Sequence, residues 1–145
     1  MKVILGADHG GFYLKEEIKT YLENKGYEVA DMGTYTPDSI DYAQIAEKVG
    51  ECVVKEKTLG ILCCGTGIGI SIAANKVKGV RAACCSDYFS ARMTRAHNDA
   101  NILCMGGRVI GAGLALDLVD IFLTTEFEGG RHQRRVDQIT ALESK

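Results

Sequence analysis

Five short apolar runs divide this chain, and each passes through a polar or glycine-bearing stretch into a segment whose apolar residues recur at helical spacing. The runs are KVILGA (2–7), YEVADMG (27–33), LGILCC (59–64), VRAACC (80–85) and NILCMG (101–106). The helical patterns follow from Phe12 to the stop at Gly26, then over Tyr42–Lys55, Ile68–Lys76, Asp87–Ala96 and Gly113–Leu123. Strands apolar on both faces must be covered on both faces, and strand–helix alternation with right-handed crossovers does this around a parallel sheet. The expected fold is therefore one doubly wound, Rossmann-like α/β/α domain over residues 1–145, with five parallel strands. The tail EGGRHQRRVDQITALESK, which opens a further helix after a glycine pair, is expected to reach toward a partner subunit.

A chain of 145 residues buries ~70% of the surface its unfolded form exposes, so it needs no disulfide or metal staple. Seventeen basic against nineteen acidic residues give a net charge of −2, with no run of one sign that would attract nucleic acid or an anionic membrane. No apolar run approaches the ~20 residues of a membrane span, and MKVILGADHG lacks a full apolar signal segment, so a cytosolic, cytoplasmic protein is expected. The six cysteines include no C-x-x-C pattern and read as reduced thiols.

Ligands of doubly wound folds bind outside the carboxyl ends of the strands. Here those positions hold DHGG, CGTGIG, SDYFS and GGRVIG. In GTGIG, glycines at 65, 67 and 69 allow backbone N–H groups to converge on an anion, or simply make a tight turn. No Gly-Lys-Ser/Thr follows and the dinucleotide spacing is incomplete. Cys64, last in its strand and close to a helix start, is placed as a reactive thiolate or as one more small core residue. Cys52, Cys84, Cys85 and Cys104 read as packing. His9 sits beside Asp8 in a strand-end loop, His97 opens HNDAN, and His132 follows Arg131. None of the histidines lies in a zinc spacing, so no metal site is expected. Arg131 and Arg135 share a helix face suited to phosphate, and Arg108 stands at a strand end.

DHGG, the Asp41-Tyr42 pair, CGTGIGISIAANK, HND (97–99), GGRVIG and EGGRHQRRV together resemble the type B ribose-5-phosphate isomerases across the whole chain. That family includes galactose-6-phosphate and allose-6-phosphate isomerases. The resemblance implies an aldose–ketose isomerase without cofactor or metal, a homodimer or tetramer with shared active sites acting on a sugar phosphate. It implies that Asp8 and His97 assist ring opening, that Cys64 is the base, and that Thr66 supports it through its hydroxyl. It further implies that the amides of Gly65, Gly67, Ile68 and Gly69 bind the enediolate, that Asn98 holds sugar hydroxyls, and that His9, Arg108, Arg131 and Arg135 hold phosphate, some arginines coming from the partner. One branch of the family uses a glutamate later in the loop; here that position is Ile70, so the cysteine branch fits. A helix N-terminus and a neighbouring imidazole are expected to draw Cys64 toward thiolate.

The reaction expected is interconversion of D-ribose 5-phosphate and D-ribulose 5-phosphate, in the non-oxidative branch of the pentose phosphate pathway. The alternatives are the same chemistry on a six-carbon sugar phosphate, a phosphometabolite-binding module without catalysis, and a thiol-redox protein.

Overall fold

The computed structural model describes residues 1–145. In chain order the elements are β1 (Lys2–Ala7), α1 (Phe12–Asn24), β2 (Glu28–Asp31), α2 (Ala43–Glu56), β3 (Leu59–Cys64), α3 (Ile68–Ala74), β4 (Ala82–Cys84), α4 (Tyr88–Asn98), β5 (Ile102–Gly106), α5 (Ala112–Thr124) and α6 (Arg131–Leu142). The strands form one sheet in the order β2-β1-β3-β5-β4, every pairing parallel. The α/β fold expected from the alternation is the fold observed. The edge strands β2 and β4 are shorter than their apolar runs, because an edge residue is held from one side only.

Strand alternation sorts the core into two layers. Val3, Leu5, Ile61, Cys63, Leu103 and Met105 pack with Leu14, Ile18 and Leu22 of α1 and Leu118 and Phe122 of α5. Ile4, Leu62, Cys64, Ile102 and Cys104 pack with Ile45, Val49 and Val53 of α2 and Ile70 and Ala74 of α3. Each fully buried Val, Leu, Ile, Phe or Met among them contributes roughly 1.5–3 kcal/mol, so the layers on both faces hold the central strands in register.

α1 stops at Gly26 (φ +89°). α4 begins at Asp87, whose carboxylate accepts the Ser90 N–H at 2.8 Å, and runs through Asn98 to a left-handed Asp99 (φ +48°). His97 and Asn98 are therefore in its last turn, where the sequence pattern stops at Ala96.

Lys15 is 1% exposed and would be costly there unpaired. Its ammonium meets Asp31 at 2.6 Å and Glu16 at 2.8 Å. Burial raises the Asp31 pKa, but the hydrogen bonds from Lys15 and the Gly33 N–H, with the charges of Lys15 and Lys19, outweigh it and leave the pKa lowered.

Chain direction fixes what lies at each end of the sheet. From β1 the chain goes to β2 on one side and then to β3 on the other, so the ends of β1 and β3 flank a topological switch point, the usual ligand crevice. Helices return antiparallel to the strands, so α4 finishes at the strand-start end, where the Asn101 carbonyl accepts the Gly60 N–H. α6 lies across that same end. The Glu128 N–H reaches the Ala96 carbonyl, His132 and Val136 are buried, and Glu143 accepts the Gly79 N–H at 2.8 Å.

Candidate active site

At the strand ends three glycine loops interlock through backbone. A Cβ on Gly11 would lie 2.3 Å from the Cys63 carbonyl carbon, and one on Gly107 would lie 2.6 Å from the Gly10 oxygen. Gly67 has φ +81°, and a Cβ there would meet the Met105 carbonyl carbon at 2.8 Å. No side chain fits these contacts, which accounts for one glycine in each of DHGG, CGTGIG and MGGR. The Gly107 N–H to the Cys64 carbonyl (2.8 Å) and the Arg108 N–H to the Gly65 carbonyl (3.0 Å) lock the β3 and β5 loops to each other.

Cys63 and Cys64 face opposite layers. Cys63 is 0% exposed, and burial, with Cys64 beside it, pushes its thiol up to about 12. Burial thus favours its protonated form. Cys64 ends the central strand, and its Sγ accepts the Gly67 N–H at 3.1 Å. That bond is the loop's direct contact with the sulfur.

The N–H groups of Gly65, Thr66 and Gly69 make no hydrogen bond within the chain, leaving a row of donors beside the thiol. The Ile68 N–H is taken by Thr66 Oγ1 at 3.2 Å, so the threonine hydroxyl braces the loop itself. Asp8 is 6% exposed, and its Oδ1 accepts the N–H groups of Gly10 (2.8 Å) and Gly11 (3.2 Å). His9 Nδ1 accepts the Ile40 N–H at 3.2 Å; this assigns the proton of the neutral ring to Nε2, which becomes the donor. The Arg108 guanidinium lies against Gly65.

Two further residues belong to this end. The Tyr42 ring lies so close over Gly69 that a Cβ there would be 2.7 Å from its hydroxyl; the Asp41-Tyr42 pair was visible in the sequence, but the contact was not. Cys84, expected to pack, is exposed, with Sγ 3.7 Å from the Thr66 carbonyl. It is the last residue of an edge strand, flanked by a neighbouring strand on one side only. Of the other thiols, Cys85 and Cys104 are buried and Cys52 is partly buried.

The remaining candidates are elsewhere. His97 and Asn98 end α4, and Arg131 and Arg135 lie in the first turns of α6, all at the strand-start end. The eleven residues of α4 span ~16 Å, so within one chain these groups stand about a sheet height from Cys64. His97 is therefore not the imidazole beside the thiol of its own chain. A cleft of about 640 Å³ is also at that end, lined by Asn75, Lys76, Arg81, Asn98, Ile139 and Leu142 among others. It holds none of the strand-end groups, and its size is no guide to the chemistry.

The two imidazoles at this end, His97 and His132, are stacked, with ring centroids 4.0 Å apart and planes at 8°. Glu128 Oε1 lies 3.6 Å from Nε2 of each. Burial, then the charges of His97 and Arg131, lowers the His132 pKa and keeps that ring neutral. No contiguous pattern announces this cluster, because its members come from α4, the loop before α6 and α6 itself.

A parallel sheet that ends in a thiol, open loop amides and cations beside its switch point is the arrangement of an α/β protein that takes a small anionic ligand at its strand ends. Comparison with known proteins makes the assignment specific. Residues 3–139 match the family model described as Ribose/Galactose Isomerase, and the chain belongs to that family. It is 50% identical over 145 residues to ribose-5-phosphate isomerase B of Escherichia coli K12, covering 99% of this chain and 97% of that protein. The structure of Clostridium thermocellum ribose-5-phosphate isomerase B superposes with a TM-score of 0.97 at 54% identity, covering 99% of this chain and 98% of that one. The Mycoplasma genitalium ribose-5-phosphate isomerase B structure, with ribulose 5-phosphate bound, gives 0.95 at 41% identity, covering 99% and 97%.

Proposed function

We propose that this protein interconverts D-ribose 5-phosphate and D-ribulose 5-phosphate by proton transfer at Cys64. The observation that carries the mechanism is the Cys64 thiol at the end of β3, bonded to the Gly67 N–H and followed by the open donors of Gly65, Thr66 and Gly69. The family membership and the ribulose 5-phosphate bound to the Mycoplasma relative support the substrate. The thiolate takes the proton from C2 of the open aldose, the carbon–oxygen frame becomes an enediolate, and the hydroxyl proton on O2 passes to O1. Return of the carbon-bound proton to C1 completes the ketose. The negative charge grows on oxygen as the base works, so donors fixed beforehand stabilise the transition state more than the substrate.

Asp8, anchored to its own loop, and His97 share the opening of the furanose ring. His9 and Arg108 hold phosphate from one side, Arg131 and Arg135 from the other, and Asn98 takes sugar hydroxyls. Since His97, Asn98, Arg131 and Arg135 lie at the far end of the sheet, a second copy of the chain supplies them. A homodimer is the smallest assembly that does so, and a tetramer would repeat it. Ile68, Ile72, Tyr88, Phe89 and Val109 are 56%, 58%, 50%, 64% and 57% exposed on elements bordering the thiol end, a surface suited to that second copy. The six free thiols fit a reducing compartment, the cytoplasm, and no helix is long and apolar enough to cross a membrane.

The test is ribulose 5-phosphate formation by purified protein with EDTA present. Turnover by wild type and Cys63→Ala, with none by folded Cys64→Ala, is the expected result. Inert wild type on both five- and six-carbon sugar phosphates would sink the reading. The family description also names galactose, so kcat/KM on galactose 6-phosphate and allose 6-phosphate decides sugar length.

A further inference from the structure

We propose that His97, Glu128 and His132 form a binding site for a divalent transition-metal ion of the zinc class, and that the ion inhibits the protein. The inhibitory half rests on the isomerase reading above; the binding half does not. One ligand atom from each residue lies within 4.8 Å of the others. Glu128 Oε1 is 3.6 Å from both Nε2 atoms, too long for a hydrogen bond and close to the ~3.3 Å ligand–ligand edge of a zinc tetrahedron with bonds near 2.0–2.1 Å.

Two imidazoles and a carboxylate leave a fourth position for water. A nitrogen-rich set selects zinc, nickel or copper over magnesium and calcium, which prefer oxygen throughout. The backbone carrying the set is pinned, by the Glu128 N–H on the Ala96 carbonyl and the His132 N–H on the Gly129 carbonyl, each 3.0 Å. The rings are stacked, so each must turn about its Cβ–Cγ bond for the lone pairs to converge. His97 and Glu128 have side chains 36% and 57% exposed, which leaves room for the turn and an open route for the ion. Arg131 and Arg135 lie near His132 and oppose a cation, so binding is reversible. A bound ion occupies His97 Nε2 and withholds that ring from substrate.

Protein stripped with EDTA is titrated with Zn²⁺ by calorimetry, with isomerase activity followed in parallel and folding checked by circular dichroism. We expect one ion per chain, no heat with Mg²⁺, and inhibition that EDTA reverses. Glu128→Gln and His132→Gln should each weaken zinc binding by about tenfold or more and shift inhibition by the same factor. Zinc binding unchanged in both folded variants, or abolished instead by Cys84→Ser, overturns the site. Binding that follows the variants while saturating zinc leaves turnover untouched overturns the inhibitory half alone. Calorimetry reads the site even if wild type turns over no sugar phosphate, so the two readings fail separately.

Discussion

The two ends of the sheet are polar in different ways. At the strand ends the functional groups are held by backbone: Cys64 Sγ by the Gly67 N–H, Asp8 by two loop amides, His9 by the Ile40 N–H. At the strand starts they are side chains on the last turn of α4 and the first turns of α6, and their company is other side chains, as in the His97–His132 stack. In the proposed reading, chemistry that needs a fixed oxyanion position sits where three glycine loops leave little room to move. On the same reading, the groups that grip a substrate's periphery sit on helix ends, from which they project toward another molecule.

The comparison is sharpened most by removing the thiol. Cys64→Ala should lower kcat by roughly 10²–10⁴, read as ketose formation, whereas Cys63→Ala keeps its rate because that thiol is buried in the opposite layer. If the two ends meet only between copies, Arg131→Ala is also nearly inactive alone. Mixing it with Cys64→Ala then restores roughly a quarter of wild-type activity, since half the dimers are hybrids with one intact site. No recovery after verified subunit exchange would break the two-ended reading.

Smaller effects test how differently the ends are built. Lys15→Met takes from the Asp31 carboxylate, whose side chain is 7% exposed, its nearest cation and leaves it Lys19 at 3.4 Å and the Gly33 N–H, and should cost about 1.5–3 kcal/mol by urea unfolding. Lys25, half-exposed beside Asp120 at the other end of α1, can become Met with no measurable shift in Tm. Gly67→Ala meets backbone as well as an unfavourable φ and should disable the loop. Gly129→Ala, at φ +68° with nothing within 4 Å, should cost only the left-handed strain, about 1–2 kcal/mol. The smallest effect is acid dependence. Asp31 has a lowered folded pKa, so the unfolded chain takes its proton first, and the stabilisation is full above the unfolded value near ~3.9 and is lost as pH falls through the folded one. The Tm gap between wild type and Lys15→Met should therefore narrow between pH 7 and pH 3.

The sheet was legible because a strand covered on both faces must be apolar throughout, and LGILCC and NILCMG could be little else. Cys64 was legible for a related reason: alternation sends 63 and 64 to opposite layers, and the strand ends at 64. The end at which His97 lies was recoverable too, since HND immediately precedes β5 and so belongs to the strand starts, but motif matching alone merges it with Asp8. Other features needed three dimensions. Nothing in the sequence shows the Thr66 hydroxyl turned to its own loop, Cys84 uncovered at a sheet edge, or Glu128 set between two imidazoles from different helices.

The separation of the half-sites by one sheet height also bears on kinetics. In the proposed arrangement an isolated chain is silent, so turnover per chain depends on how much of the protein is associated. Below the dissociation constant of the dimer the observed rate falls with the square of protein concentration, and substrate that bridges the two halves pulls chains together by mass action. Specific activity measured on serial dilution, with and without preincubated sugar phosphate, should therefore curve downward and recover, a concentration dependence set by the direction in which α4 runs.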